Sequence, residues 1–277
     1  MNKYDYNLKL FYFGHSKSNI FNMAVDEAIF QNLMRGEIIV RTYEFENNAI
    51  IIGRNDNISN ILNFEENKKK IEITRRETGG MPIFVGDKTF SFSIIGSTSI
   101  FSDKSLKLTV ELHKFFGNAI ANAIRSLGNN DIRIEVGDKY SIKLNGKPIA
   151  GQSSLIENNK FIYHGVITIE KLDADKIKNF ILLKDGDYDK LISLPALGNF
   201  FLNTDIKEHL KSTIPNEVSK LLRLDLVDLA KSDIKKYQEI LKYAEQLNIE
   251  KYQNEEWVIG DKNKGKSGRG YCLLYGD

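Results

Sequence analysis

The sequence predicts an α+β or α/β domain in which clusters of strands alternate with flanking helices. Three observations support this fold class. Residues 37–53 are rich in Ile, Val and aromatic side chains, as strands are. Residues 90–94 alternate with period two, which is typical of a half-buried strand. Residues 105–127 carry a continuous apolar stripe at helical spacing, and Gly128 follows where a helix would stop.

The same periodicities place the remaining elements. Further strands are predicted at residues 7–14, 132–136, 140–144 and 161–169, with a turn at Asn145-Gly146 between the last two. Further helices are predicted at residues 19–34, 173–183, 215–222 and 232–247. The Lys- and Gly-rich residues 261–270 are expected to form a mobile tail.

The composition narrows the function classes. A chain of 277 residues is long enough for one large domain plus a small appendage. A net charge of +2 indicates no extended nucleic-acid surface. No apolar run is as long as a membrane span, and the amino terminus has no signal-peptide hydrophobic region, so we expect a cytoplasmic protein without nucleic-acid or membrane partners. Cys272, the single cysteine of the sequence, excludes an intramolecular disulfide and a multi-cysteine metal site, and we assign no metal ligands.

Residues 75–80, RRETGG, are the most informative segment of the chain. Two arginines stand beside a glycine pair, and glycine lets the backbone approach a ligand closely. Successive backbone N–H groups can form an anion-binding concavity, to which arginine adds bidentate recognition of carboxylate or phosphate oxygens. By itself a Gly-Gly pair is usually just a turn, so the interpretation needs support from other segments.

That support comes from four more segments in a fixed order. They are NMAVDEA at residues 22–28, IIGRN at 51–55, NGKPIAG at 145–151 and His164-Gly165. Together with RRETGG they resemble the lipoate–protein ligase A family, within the biotin and lipoate ligase superfamily. The resemblance covers residues 8–205, and YQNEEW at 252–257 is similar to the closing segment of short, archaeal-type members.

The resemblance implies a mixed, largely antiparallel sheet flanked by helices, as in biotin ligases and class II synthetases. It places a catalytic domain at residues 1–205, with its core at about 35–205, and a helical extension of the same domain with a basic mobile tail at 206–277. The implied activity is ATP-dependent conversion of lipoate or octanoate, with Mg²⁺, into an acyl adenylate (lipoyl-AMP), followed by transfer to a lysine. The implied acceptors are the lipoyl domains of a 2-oxoacid dehydrogenase E2 or a glycine-cleavage H protein, and a small accessory ligase subunit is a further expected partner.

The resemblance also assigns residues. Lys147 is the catalytic candidate. The lipoate- or adenylate-binding candidates are Arg75, Thr78, Gly79, Gly80, Ile83, Phe84, Gly151, Gln152 and His164, with Gly53, Arg54 and Ser141 as further candidates. Arg75 and residues 78–80 are expected at the carboxyl–phosphate junction, whereas Ile83 and Phe84 are expected to line the acyl slot or simply to belong to the core. His164 is expected to shape the pocket, and Asp26 and Glu27 are expected on the solvated face of the first helix.

Several family positions are altered in this chain. The family lysine precedes an Ile or Val, a small residue and a glycine, and that slot holds Pro148, with Lys147 one place earlier. Proline has neither charge nor donor, and adjacent strand residues point to opposite faces. Met81 replaces a third glycine, residues 85–86 replace a His-Asp pair, and residues 140–141 replace an Asn-Asp pair. The adenylation step is therefore the part of the activity that these changes affect most.

Two alternatives remain open at this stage. The first is an octanoyl or lipoyl transferase that needs no ATP; such enzymes use a cysteine near the lysine loop, and Cys272 is far from it in sequence. The second is a degenerate family member that binds an acyl ligand or a lipoyl domain without catalysis. Convergence of Lys147 with Arg75 and Gly79 would favour the ligase, whereas an exposed Lys147 would favour the binding protein.

Overall fold

The structure, a computed structural model, describes residues 8–14, 19–101, 108–129, 131–137, 141–182, 194–202 and 204–260. The strands are β1 (Lys9–Tyr12), β2 (Glu37–Tyr43), β3 (Ala49–Ile52), β4 (Glu72–Arg75), β5 (Ile83–Val85), β6 (Thr89–Ser97), β7 (Ile134–Val136), β8 (Ile142–Leu144), β9 (Lys147–Glu157), β10 (Lys160–Thr168) and β11 (Leu226–Asp228). The helices are α1 (Asn19–Asn32), α2 (Phe64–Asn67), α3 (Leu108–Arg125), α4 (Ala174–Lys178), α5 (Ile206–Leu222), α6 (Leu229–Ser232), α7 (Ile234–Leu247) and α8 (Glu255–Ile259).

The strands form one large and one small sheet. The large sheet has eight strands in the order β11-β1-β2-β6-β10-β9-β8-β7. β1 runs parallel to both its neighbours, and the pairs from β2 to β7 are antiparallel. The small sheet has the order β4-β3-β5, with β3 parallel to β4 and antiparallel to β5. The predicted class, α+β with a mixed and mostly antiparallel sheet flanked by helices, is confirmed.

Helices cover both faces of the large sheet because its central strands carry apolar side chains alternately on each face. On one face, α3 and α5 pack against Phe92, Tyr163 and their neighbours, a cluster that we call the α3 core. On the other face, α1 and α7 pack against Ile95, Ile162 and their neighbours, which we call the α1 core. The small sheet packs one face against α4 and Val258 of α8, forming the small-sheet core.

The structure differs from the sequence-based prediction in several regions. Residues 37–53 hold two strands, β2 and β3, that belong to different sheets, and β4, β5 and β11 were not predicted. The eleven-residue strand β9 was not predicted, because residues 151–154 are Gly, Gln, Ser and Ser and a proline stands near its start. α5 begins at Ile206 and not at Pro215, because the Asp205 side chain caps its amino terminus and Pro215 lies inside the helix. Residues 206–260 contribute β11 to the large sheet and α5 to the α3 core.

Other predictions fall partly outside the described residues. The predicted helix 105–127 corresponds to α3, and the predicted helix 173–183 corresponds to α4, each with its outer end beyond what the structure describes. The expected mobile tail, residues 261–270, also lies outside the described residues. Within the described part of the chain, no helix combines the length and the apolar character that a membrane crossing requires.

Candidate functional site

The RRETGG loop, residues 75–80, runs from the end of β4 along the end of β3. Arg76 N–H donates to the Ile52 carbonyl at 2.9 Å, and Arg54 N–H donates to the Thr78 carbonyl at 2.9 Å. Gly53 lies where the two segments touch, and a Cβ at this position would overlap the Gly80 carbonyl oxygen. Gly53, a ligand-binding candidate from the sequence, therefore makes a close backbone approach to the RRETGG loop itself, and only glycine fits there.

Arg76 shapes the loop from inside. Its guanidinium donates to the carbonyl oxygens of Gly79 at 2.7 Å and Met81 at 2.8 Å, and its Nε–H donates to Thr78 Oγ1 at 3.1 Å. Burial lowers the pKa of Arg76 to about 10, so the side chain stays charged at neutral pH. Because the carbonyls of residues 79 and 81 turn toward this buried cation, the loop is fixed around it.

Arg75 has a different role from the ligand-binding one expected of it. Its guanidinium is 2% exposed and donates to the carbonyl oxygens of Gly53, Arg54, Asp56, Trp257, Val258 and Ile259 at 2.7–3.2 Å. In return, Trp257 Nε1–H donates to the Arg75 carbonyl at 3.0 Å. An arginine has five N–H donors, and these contacts occupy them. Arg75 thus joins residues 53–56 to α8 and has no donor left for a substrate anion.

A buried relay of side chains connects the loop to the large sheet. Thr78 Oγ1 lies 2.6 Å from His164 Nε2, and His164 Nδ1 lies 3.2 Å from Asp26 Oδ2. Thr78 is fully buried, and His164 and Asp26 are 7% and 3% exposed. His164 lies on β10, Asp26 on α1 and Thr78 in the RRETGG loop, so three separate segments meet at this point.

Asp26 is held ionised at the end of the relay. Arg41 Nη1 donates to Asp26 Oδ1 at 2.6 Å, and Ser93 Oγ donates to the same oxygen at 2.7 Å. Burial alone would raise the pKa of Asp26, but the charge of Arg41 and the contact with His164 outweigh it, so the pKa lies below its ordinary value. The expectation that Asp26 lies on a solvated helix face is wrong, because its pairing with a buried arginine makes burial of the carboxylate tolerable.

Gly79 and Gly80 present backbone donors at the edge of this network. Ser153 Oγ, on β9, donates to the Gly79 carbonyl at 2.6 Å, and Gly80 has a φ of 86°. Within the described part of the chain, the N–H groups of Gly79 and Gly80 make no hydrogen bond to the protein. Gly80 is exposed, and a Cβ at Gly79 would have no heavy atom within 4 Å. Two adjacent N–H donors are therefore without a protein partner among the described residues, which is what an anion-binding concavity requires.

A second polar cluster lies on the opposite face of β9 and β10, toward α3. Tyr163 O–H donates to Gln152 Oε1 at 2.5 Å, and His113 Nε2 lies 3.0 Å from Ser154 Oγ. Among the described residues, Gln152 Nε2 is buried without a hydrogen-bond partner. Because Gln152 and Ser153 are adjacent on a strand, they point to opposite faces, and Gln152 faces away from the RRETGG loop.

The other binding candidates from the sequence lie in different parts of the fold. Ile83 is half-buried against the α1 core, on the same side as the relay, whereas Phe84 lies in the small-sheet core. Gly151 pairs with Val166 in the large sheet, beside Gly165, where a Cβ would lie 2.7 Å from the Gly151 carbonyl oxygen. Ser141 precedes β8 and accepts a backbone hydrogen bond from Gly137 at 2.8 Å.

Lys147 does not converge with the Gly79 backbone. It is exposed at the first residue of β9, whereas Ser153, the β9 residue that contacts Gly79, lies six positions further along the strand. At about 3.3 Å per residue, that separation is on the order of 20 Å, which exceeds the reach of a lysine side chain. The family slot, Pro148, is half-buried and pairs with Lys143.

Charged groups also join the loop to the carboxyl-terminal segment. Lys251 Nζ contacts Glu77 of the RRETGG loop and lies 2.8 Å from a carboxylate oxygen of Glu27 on α1. Arg54, 41% exposed, pairs with Glu77 at 3.3 Å. Glu27 is buried, so its expected place on a solvated face is also wrong. Among the residues described, no group of three or more His, Cys, Asp or Glu side chains is arranged to hold a metal ion.

Sequence reasoning found the RRETGG loop and His164 but missed their partners. Asp26, Arg41, Ser93 and Ser153 complete the network, and none of them follows RRETGG at a fixed short spacing. One signal was available, because Asn22 and Asp26 lie four residues apart on α1 and both bind Arg41. Two polar residues on one helical face that carries buried apolar neighbours indicate a buried cation.

Comparison with known proteins assigns this arrangement to a family. A family model described as the lipoyl protein ligase A/B catalytic domain matches residues 19–194. A probable lipoate-protein ligase A of Mycoplasma pneumoniae is 23% identical over 243 residues, covering 87% of this chain and 68% of that protein. The octanoyltransferase LipM of Staphylococcus epidermidis is 22% identical over 278 residues, covering 88% and 95%.

Solved structures of low sequence identity share the fold. A structure described as a bipartite lipoate protein ligase and its E2 lipoyl domain, from Thermoplasma acidophilum, has a TM-score of 0.74 at 20% identity and covers 98% of each chain. A lipoate-protein ligase A bound with ATP has a TM-score of 0.70 at 21% identity and covers 91% of this chain and 98% of that one. With the family model matching most of the described core, the chain belongs to the lipoyl protein ligase A/B catalytic-domain family.

Proposed function

We propose that this protein attaches a lipoyl or octanoyl group to a lysine of a lipoyl domain, after activating the acid with ATP as an acyl adenylate. Family membership supports acyl transfer in general. The observation that carries the proposal is the pair of Gly79 and Gly80 N–H groups, which have no protein partner among the described residues and belong to a loop that Arg76 and Ser153 hold in place. Lipoate–protein ligase is therefore the activity we assign.

The reaction concentrates negative charge at one point. Adenylation joins a carboxylate to a phosphate, and the attack of the acceptor lysine creates an oxyanion at the same carbon. Preorganised donors aimed at such a charge are the efficient solution, and loss of one costs about 10²–10³-fold in rate. In this chain the donors are backbone groups, so the contribution of Arg76 is to hold them and not to touch the substrate.

The acyl chain has an apolar wall on the same side as the relay. Ile83 is half-buried against the α1 core, which makes it a wall residue in this proposal, whereas Phe84 supports the sheet from its other face. Each buried methylene contributes about 0.8 kcal/mol, so an eight-carbon acid is held mainly by such contacts. Mg²⁺ would be carried by the nucleotide phosphates with one or two carboxylates, which is its usual mode and needs no preformed cluster.

The acceptor is proposed from the same likeness. The Thermoplasma acidophilum neighbour is described together with its E2 lipoyl domain, so we infer a lipoyl domain of a 2-oxoacid dehydrogenase E2, or a glycine-cleavage H protein, as the acceptor here. That neighbour is also described as bipartite, and a small accessory subunit is a corresponding partner to test for this chain.

The test is intact-mass analysis of an apo lipoyl domain after incubation with the protein. One reaction contains lipoate, ATP and Mg²⁺, and a second contains preformed lipoyl-adenylate, each with an enzyme-free control. Lipoylation in the first is the expected result. Lipoylation in the second alone would locate the missing step in activation and call for an accessory subunit, and no transfer in either would overturn the proposal in favour of a non-catalytic binding protein. Lys147→Ala in both reactions tests whether that lysine contributes.

A transferase that needs no ATP is the second candidate. The octanoyltransferases among the relatives favour it. A third reaction with an octanoyl thioester of an acyl carrier protein distinguishes it from the ligase. Transfer from the thioester without ATP would assign the chain to the transferases.

A further inference from the structure

The RRETGG loop carries a negative charge of its own beside the donors that are proposed to bind an anion. Glu77 stands two residues before Gly79, so the Cα atoms of the two residues lie within about 7.6 Å of each other. The Glu77 side chain is 12% exposed. A carboxylate in this position repels a carboxylate or phosphate bound at Gly79 and Gly80 unless a cation balances it.

Lys251, in the carboxyl-terminal segment, supplies that cation. Its Nζ contacts the Glu77 carboxylate and lies 2.8 and 2.9 Å from the two carboxylate oxygens of Glu27 on α1. Arg54 is a second cation at Glu77, at 3.3 Å, and lies 3.9 Å from Glu157. The charges of Glu27, Glu77, Lys251 and Arg54 sum to zero. Loss of the Lys251 ammonium would leave this group with an excess negative charge next to the anion site.

The surroundings of Lys251 withdraw it partly from water. Its ammonium lies 4.2 Å from the centroid of the Trp257 ring and 5.5 Å from that of the Tyr252 ring, and its side chain is 24% exposed. Tyr252 is buried and donates its O–H to Glu27 at 2.7 Å. Because charges in such a place are screened less than those on an open surface, the ammonium affects the electrostatic potential at the neighbouring loop.

We propose that Lys251 is a positioning residue for the anion site, whose ammonium neutralises Glu77 and so keeps the Gly79 and Gly80 donors attractive to an acyl phosphate. The proposal rests on the function assigned above, since it concerns the same ligand. Lys251 acts through Glu77 and does not touch the ligand. The proposal gives a part in ligand binding to a segment that lies beyond residues 19–194, the range that the family model matches.

A purely structural role for Lys251 makes a different prediction. If the ion pair only held the carboxyl-terminal segment in place, loss of either partner would disturb the loop and weaken ligand binding in the same direction. If the charge matters, the two losses have opposite signs, because one leaves an excess negative charge and the other an excess positive charge. The sign of the change in affinity therefore separates the two roles.

The experiment measures the affinity for lipoyl-sulfamoyl-adenosine by titration calorimetry. This probe carries its negative charge where the acyl adenylate has its phosphate. The salt concentration is about 0.1 M, because the Debye length of about 10 Å is then comparable to the distance between Glu77 and the donors. Lys251→Met keeps an apolar stem and is expected to raise the Kd by about fivefold or more. Glu77→Gln keeps the shape of the side chain and is expected to lower the Kd by a similar factor.

A double variant and a control complete the set. Lys251→Met combined with Glu77→Gln restores the charge balance and is expected to bind within about twofold of wild type. Lys235→Met is the matched control, because it removes a lysine 85% exposed on α7 that pairs with Glu239 at 3.9 Å, and it should leave the Kd unchanged. The urea midpoint of each variant shows whether it folds, and Glu77→Gln tests the charge even where Lys251→Met does not fold.

The outcomes separate this inference from the proposed function. Weaker binding in Lys251→Met, tighter binding in Glu77→Gln and recovery in the double variant support it. Binding by wild type with unchanged affinity in Lys251→Met, with weaker or unchanged binding in Glu77→Gln, or with no recovery in the double variant overturns the role of Lys251 and leaves the proposed function standing. No binding of the probe by wild type overturns the proposed function and this inference with it.

Discussion

Replacing Arg75 with leucine removes all five guanidinium donors from a buried set of carbonyl groups. Those carbonyls belong to residues 53–56 at the end of β3 and to residues 257–259 in α8, so the side chain joins segments about two hundred positions apart in the chain. Arg75 is buried, and burial lowers its pKa below the ordinary value without removing its charge at neutral pH. The substitution therefore tests whether Arg75 acts as a structural clamp, a side chain that joins residues 53–56 to α8, or as a ligand-binding residue.

The expected cost follows from the hydrogen bonds that are lost. A buried acceptor left without a partner costs about 1–3 kcal/mol, and part of the sum is recovered because the arginine no longer has to be desolvated. Broken buried charge networks typically cost about 3–5 kcal/mol, which is a large part of the total stability of about 5–15 kcal/mol usual for a domain. At about 2–4 °C per kcal/mol for a chain of this size class, the Tm falls by roughly 10 °C.

Urea unfolding and hydrogen exchange measure the effect. Arg75→Leu should lower the free energy of unfolding by about 3–5 kcal/mol and should raise amide exchange in residues 248–260. The matched control is Arg133→Leu, which removes an arginine 78% exposed and paired with Glu135, and should change stability by less than about 0.5 kcal/mol. A loss below about 1 kcal/mol in Arg75→Leu, with exchange in 248–260 unchanged, would refute the clamp.

Three further predictions concern the same site. Gly53→Ala should displace the RRETGG loop, because its Cβ overlaps the Gly80 carbonyl oxygen, and should lower the free energy of unfolding by at least about 2 kcal/mol. An unchanged urea midpoint would contradict this. Gly79→Ala should change the free energy of unfolding by less than about 0.5 kcal/mol, because its Cβ enters open space. A larger loss of stability would mean that this space is filled. Burial and, second, the charge of His164 lower the pKa of His113 to about 4 from 6.5, so the unfolded state binds more protons between these values and stability falls on acidification through that window. His113→Gln should flatten the dependence of the urea midpoint on pH between 6.5 and 4, and an identical slope in the variant would argue against the shift.

The sequence predicted elements where side-chain periodicity is strong. The apolar stripe of α3 and the alternation in β6 both follow from burial on one face or on alternate faces, and both elements lie where they were expected. β9 was missed because its side chains near residue 152 are small or polar and do not alternate between apolar and polar, as those of a strand that packs on the core usually do. Local pattern therefore fails at the strand that carries Ser153.

The candidate site was predicted in part. RRETGG marked the loop, but the sequence could not tell which arginine lies under the loop and which clamps α8, since the two are adjacent and chemically identical. His164 and Asp26 are 138 positions apart, and no local spacing connects them. A charged residue on a helix is usually solvated, and Asp26 is an exception that only its tertiary partner Arg41 explains.

The central claim is that the Gly79–Gly80 donors form the anion-binding part of an acyl-transfer site. Titration calorimetry with a non-hydrolysable lipoyl-sulfamoyl-adenosine, on the wild-type protein and on Gly79→Ala, tests this claim most directly. The account predicts a Kd on the order of 1 μM or tighter for wild type, corresponding to about −8 kcal/mol. Gly79→Ala keeps the backbone N–H but adds a Cβ beside it, so binding should be at least about tenfold weaker in the variant at an unchanged unfolding midpoint. Equal affinity of the two proteins, or no binding by wild type, would contradict it.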